Sequence, residues 1–175
     1  KIEIAIKGAD KLFVLLTSAK PNSKPEKITE ITKTVRQEIF KDFLLLLDKA
    51  YENLIVVPTK NTERLFQELR DMGIKVVLNT GYNHATASLL IQKLNWEIGQ
   101  HYDLLITASD VTKNRPNPDM ILLAMEKLHI VDASSVIKVG DSTIDIEEGR
   151  NAGCLYNIGV TTGAHTKAEL LTANP

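Results

Sequence analysis

Apolar residues at Ile28, Ile31, Val35, Ile39, Phe43, Leu46 and Leu47 follow one another mostly in three- and four-residue steps, the spacing of one face of an α-helix. Ser23-Lys24-Pro25, a helix-start signal with proline in the first turn, stands just ahead of them. The pattern therefore predicts one long amphipathic helix. Further upstream, Ile2, Ile4 and Ile6 alternate as a strand does, whereas Ile2, Ala5, Ile6 and Ala9 fit a helix face, and both readings stand. Ser18 to Pro25 reads as a polar loop between two helical elements.

From Leu54 onward the pattern changes. A short apolar run, Leu54 to Val57, stops at Pro58, and Leu65, Phe66, Leu69 and Met72 then mark a helix closed by Gly73. Strands are predicted over Ile74–Leu78, Leu104–Thr107, Val136–Val139 and Leu155–Val160. Between them fall helices around Ala85–Leu94, from Asn117-Pro118-Asp119 (N-cap, first-position proline, first-turn acid) through Leu128, and up to Gly153, with a last helix over Thr166–Leu171. Strands that recur with a helix between each pair imply an α/β fold with a mostly parallel sheet covered on both faces. Residues 1–54 then form a helical appendage, and 55–175 the α/β core.

The chain has 175 residues, 43% of them hydrophobic and 25% charged, with a net charge of −1. That is enough apolar material for a real core. No basic stripe suits a nucleic-acid backbone, and no apolar run approaches a membrane span, so neither partner is expected. Charges within Lys1 to Lys7 break any secretory leader there. A single cysteine, Cys154, cannot make an internal disulfide, which fits a cytoplasmic setting; leading a buried strand, it is expected in the core.

In open parallel sheets ligands bind beyond the carboxyl ends of the strands. The residues there are Asn79-Thr80-Gly81-Tyr82, Ala108-Ser109-Asp110, Gly140-Asp141-Ser142 and Thr161-Thr162-Gly163. Asp141 and Asp145 stand four apart at a helix start, so both carboxylates can face one point and suit Mg²⁺ with its retained waters. The plain alternative is an N-cap followed by a dipole-complementing acid. Thr80, with the N–H groups of Gly81 and Tyr82, could cradle an anion or merely cap a helix. Arg115, in the stiff Asn114-Arg115-Pro116-Asn117-Pro118 loop, could neutralise a phosphoryl group or lie on the surface, with Lys113 competing for the role. His84, His101, His129 and His165 lack metal-ligand spacing, and only His84 and His165 follow strand ends closely enough to approach the site.

Together these segments resemble the haloacid dehalogenase superfamily of aspartate-nucleophile hydrolases. Thr80 matches its second motif, Arg115-Pro116-Asn117-Pro118 its third, and Gly140-Asp141-Ser142 through Asp145 its fourth. The fuller phrase from Val139 to Glu148-Gly149-Arg150-Asn151-Ala152-Gly153 looks like the phosphonatase-like branch. The resemblance implies a Rossmann-like parallel-sheet core over 55–175 with an N-terminal α-helical cap over 1–54, each incomplete. It also implies a small phosphorylated substrate and Mg²⁺ held by Asp141 and Asp145. Thr80, Gly81, Tyr82 and Arg115 would bind the phosphoryl group, with Thr80, Arg115 and Asp141 taking part in catalysis.

The family's nucleophile is the first aspartate of a motif that follows the first core strand, and no such motif is found here. Asp10, Asp48 and Asp110 lack its context. The expectation is a fragment that lacks this central strand, the competing reading being a protein that has lost catalysis; as given, the chain should not turn over substrate. Lys11 in Gly8-Ala9-Asp10-Lys11 looks like the cap lysine with which phosphonoacetaldehyde hydrolase forms a Schiff base. Three residues on, where those enzymes carry histidine, this chain has Val14. The reading preferred is therefore phosphate monoester hydrolysis, with phosphonoacetaldehyde hydrolysis and a non-catalytic phosphate-binding module as alternatives.

Overall fold

The computed structural model describes residues 25–175, and in the first helix the side chains of 25–34, 44, 47 and 48 are left out. Lys11, Val14, the 2–9 segment and the 18–24 loop lie outside the described residues. The chain divides into two compact units, Lys1–Leu54 and Ile55–Pro175. In the first, helix α1 (Pro25–Asn53) starts at the proline expected in its first turn. Val35 is buried on it, and the rings of Phe40 and Phe43 stack one turn apart.

The second unit alternates helices and parallel strands. It runs through α2 (Thr62–Asp71), β1 (Val77–Thr80), α3 (His84–Lys93), β2 (Leu104–Thr107), α4 (Asp119–Lys127), β3 (Ile137–Gly140), α5 (Thr143–Ala152), β4 (Tyr156–Gly159) and α6 (Lys167–Thr172). Gly73 and Gly153 close α2 and α5 with φ of 77° and 81°, a region open to glycine at little cost. The last helix opens with a capping box, Thr166 and Glu169 each taking the other's backbone N–H.

The sheet departs from expectation. It is not continuous among the described residues: β1 pairs in parallel with β2, β3 with β4, and the two pairs share no backbone ladder. Nor is it covered throughout, because Ile137, Val139, Tyr156 and Ile158 stay exposed. Ile106, Met120 and Ala124 form the core, with Val77, Leu104, Val111 and Leu123 packed around them. All but Val111, in the loop after β2, are β1, β2 or α4 residues, so the β1–β2 pair is better covered than the β3–β4 pair. Cys154 is half-buried ahead of β4 rather than inside a buried strand, and burial pushes its thiol above its ordinary value.

Other boundaries move for local reasons. The first strand begins at Val77 rather than Ile74, because Asp103 takes the N–H of Val76 at 2.9 Å before the ladder starts. Asp103 also meets Arg70 Nη1 at 2.9 Å and Lys75 Nζ at 3.1 Å. Burial alone would raise its carboxyl, but the Val76 N–H and both cations hold it below its ordinary value. Asp103→Ala is expected to cost about 2–3 kcal/mol, read as a lower urea midpoint. Pro118 occupies the N-cap of α4, not the first helical position, and its fixed φ still starts the helix. No helix among the described residues is long and apolar enough to cross a membrane.

Candidate functional site at the strand ends

The third-motif loop after β2 and the fourth-motif segment after β3 come into contact beside the end of β1. Asp145, in the first turn of α5, is 3% exposed and both its oxygens are engaged. Oδ2 accepts from Ser142 Oγ at 2.5 Å, and Oδ1 accepts from Arg115 Nη1 at 2.5 Å with Lys138 Nζ 3.5 Å away. Burial works to raise this carboxyl, yet the Ser142 hydroxyl and the Lys138 and Arg115 cations outweigh it and hold Asp145 below its ordinary value. A carboxylate so held is an anion at neutral pH.

Gly140 makes this possible: a Cβ there would fall on Asp145, 2.8 Å from Oδ2 and closer to its carbons. Gly81 does the same for Arg115, since a Cβ on it would run into the guanidinium. Arg115 therefore lies between the bare backbone at the end of β1 and the carboxylate at the start of α5. Its loop has a cis Arg115–Pro116 bond and is held where Asn151 Nδ2 on α5 donates to the Pro116 carbonyl at 2.8 Å. Lys113 is exposed, so of the two cations in that loop Arg115 reaches the cluster.

Asp141 is half-buried and faces the loop after β4. Its Oδ2 accepts from the Ala164 N–H at 2.6 Å, and a side chain on Gly163 would collide with it. His165 donates its backbone N–H to the Asp141 carbonyl at 3.0 Å, and its Nδ1 accepts from Thr143 N–H at 3.1 Å. That role is structural support for the loop. Asp110 also proves structural, closing a turn on the N–H and hydroxyl of Thr107 at 2.7 and 2.8 Å.

Thr80 is arranged differently from the simple cradle. Its Oγ1 accepts from the Tyr82 N–H at 3.2 Å, so one of the expected anion donors is already satisfied. The helix that follows starts at His84 and is capped by Asn83, whose side chain takes the Thr86 N–H at 2.8 Å. Gly81 and Tyr82 thus belong to the loop before the helix and not to its first turn. Tyr82 is exposed. The His84 ring lies 3.3 Å from Ser88 Oγ, and its backbone N–H donates to Ser109 Oγ at 3.3 Å.

Sequence reasoning missed Lys138 and Glu148. A lysine inside an apolar strand reads as outward-facing. The available signal was alternation: Lys138 and Gly140 share a side of β3, the side on which Asp145 and Glu148, three apart on α5, project. Among the described residues no group of three His, Cys, Asp or Glu side chains forms a metal cluster. The donor chemistry still fits Mg²⁺, an ion that takes one or two carboxylates and keeps waters. Asp141 has an oxygen without a hydrogen-bond partner among the described residues, whereas Asp145 is fully engaged.

A family model described as haloacid dehalogenase-like hydrolase matches residues 7–153. The chain is 33% identical over 131 residues to a phosphonoacetaldehyde hydrolase from Latilactobacillus sakei, spanning 73% of this chain and 46% of that protein. It is 30% identical over 136 residues to one from Bacillus cereus, spanning 78% and 49%. The chain thus spans about half the length of the curated relatives it matches. Its fold matches a phosphonoacetaldehyde hydrolase-like protein from Oleispira antarctica with a TM-score of 0.56 and 24% identity, over 86% of this chain and 55% of that one. It also matches CbbY from Rhodobacter sphaeroides, solved in complex with phosphate, with a TM-score of 0.58 and 17% identity, over 90% and 66%. With the strand-end chemistry in place, these matches establish that the chain belongs to the haloacid dehalogenase-like hydrolases, on their phosphonatase-like branch.

Proposed function

We propose that the complete protein is a Mg²⁺-dependent hydrolase of a small phosphorylated metabolite, working in the cytoplasm through an aspartyl-phosphate. The observation that carries this reading is Arg115 suspended between Gly81 at the end of β1 and Asp145 at the start of α5. A cation held there on one carboxylate keeps donors to spare for a phosphoryl oxygen. Thr80 would turn its hydroxyl from the Tyr82 N–H to that same group, freeing the N–H as a further donor. Asp141 would hold Mg²⁺ directly and Asp145 through water, in keeping with its engaged oxygens. The ion would supply charge neutralisation at the phosphoryl oxygens.

The attacking aspartate is assigned to residues beyond these 175, since none of the aspartates here has its context. Its carboxylate oxygen forms a bond to phosphorus as the ester oxygen leaves with the electron pair. Water then attacks phosphorus, releasing inorganic phosphate and restoring the carboxylate. We assign residues 1–54, which include α1, to a cap that would select the substrate.

A second reading is favoured by the relatives' identity: cleavage of phosphonoacetaldehyde, with Lys11 forming the Schiff base. Val14, where that chemistry uses histidine, weighs against it. Incubating the complete protein with Mg²⁺ and either an aryl phosphate or phosphonoacetaldehyde separates the readings. Phosphate release from the ester supports the first. Acetaldehyde release, with inactivation by borohydride only when phosphonoacetaldehyde is present, supports the second. Phosphate binding without turnover of either would leave a binding module.

Gly163 offers a milder test. Its φ lies outside the left-handed region, so alanine suits the backbone, but the added Cβ must displace the Asp141 carboxylate. Gly163→Ala is expected to lower Mg²⁺-dependent turnover on the order of 10- to 100-fold. Its unfolding midpoint should stay near that of the parent.

A further inference from the structure

The buried polar chemistry continues past Asp145. Lys138 Nζ is 2.7 Å from Glu148 Oε2 as well as 3.5 Å from Asp145 Oδ1, and its side chain is 7% exposed. Glu148 is fully buried, and its oxygens also accept from Asn79 Nδ2 at 3.2 and 3.3 Å. Asn79 immediately precedes Thr80 on β1. One line of side chains therefore runs from Asn79 through Glu148, Lys138 and Asp145 to Arg115. It links β1, β3, α5 and the Arg115 loop, although β1 and β3 share no backbone hydrogen bond.

A buried lysine–glutamate pair is a poor way to gain stability, because desolvating both charges offsets their attraction and an apolar pair of similar volume would serve as well or better. Geometry shows what the pair does instead. Lys138 sits between two carboxylates on successive turns of α5, so it braces the Asp145 oxygen that Ser142 does not engage. With Asp145 fixed, Arg115 must take its place over Gly81. Asn79, held by Glu148, in turn fixes the end of β1 from which Thr80 projects.

We propose that Lys138 and Glu148 are a positioning pair: they touch neither substrate nor metal, but set Asp145 and Arg115 relative to Thr80. This inference rests on the phosphoryl-hydrolase reading. It predicts that the pair can be neutralised without harm to the fold, yet not without harm to the site.

The test compares Lys138→Met, Glu148→Gln and the double variant with the parent in the complete protein. Thermal unfolding, Mg²⁺-dependent turnover of an aryl phosphate, and calorimetric binding of inorganic phosphate without added metal are measured for each. Lys138→Met leaves a buried carboxylate unpaired and should unfold earliest. The double variant, neutral and similar in volume, should regain the parental midpoint. Its turnover should stay about 100-fold down and its phosphate affinity about tenfold down, the scale expected when a site loses its placement by about 1 Å.

A double variant that recovers stability, turnover and phosphate affinity together would reduce the pair to a structural brace and overturn the inference. Should the double variant not fold, Glu148→Gln decides, since it removes one charge but keeps the volume and an acceptor for Asn79. Parental turnover and phosphate affinity in that variant overturn the proposal; a loss of both at a retained midpoint supports it. A parent protein that neither binds nor releases phosphate overturns the hydrolase reading itself, and the positioning role with it. A parent that does both while the variants match it overturns the positioning role alone.

Discussion

Asp141→Ala in the complete protein should lose Mg²⁺-dependent turnover by on the order of 1,000-fold or more, equivalent to about 4 kcal/mol of transition-state stabilisation. Asp141 is half-buried, and its Oδ2 is tied to the Ala164 N–H, which orients the carboxylate without consuming it. Removing it deletes a carboxylate that keeps an oxygen to spare among the described residues. The fold should tolerate the change, because the Asp141 backbone carbonyl still anchors His165. The check is a Mg²⁺ titration of turnover beside a thermal melt. Metal-dependent turnover at the parental level would remove Asp141 from the metal site.

Asp145→Ala should act on the fold as well as the site. Arg115 and Lys138 both lean on this carboxylate, and its loss leaves two half-buried or buried cations with less compensation. The expected cost is about 3 kcal/mol, visible as a lower urea midpoint in metal-free buffer. The dependence on pH follows from the direction of the shift. Burial pushes the Asp145 carboxyl up, but Ser142, Lys138 and Arg115 together bring it below the ordinary value of 3.8. Its stabilising contribution is therefore complete above that ordinary value and fades as pH falls through the lower, folded-state one. Asp145→Asn should accordingly flatten the acid limb of the stability curve. An unchanged acid limb would assign it to other carboxylates, Asp103 first among them.

Much of this arrangement is legible in the residues themselves. Leu104–Thr107 is found where the apolar run puts it, and Gly73 and Gly153 stop their helices as glycines do. The strand ends were harder. Asn79 and Thr80 belong to β1, but polar residues do not count towards an apolar run, so the strand reads as ending two residues early, at Leu78. Thr80, Arg115 and the two aspartates stand out because their types suit phosphate and metal chemistry. Lys138 and Glu148 do not: each looks like a solvent-facing charge until α5 is laid across β3. The gap between the strand pairs is not written in any one strand's composition, since pairing depends on which neighbours are present.

The close approach at Gly81 bears on how such a site tolerates change. Arg115 rests against a position that contributes no side chain, only room. In a saturation library selected for activity, codon 81 should be depleted of every non-glycine residue about as sharply as codon 115. A survey that ranks positions by chemistry alone would pass over it. The same holds at codon 140, where the room is claimed by Asp145. Variation that leaves every charge and hydroxyl intact can thus silence the protein, and interpreting such variants requires attention to the spaces between its groups.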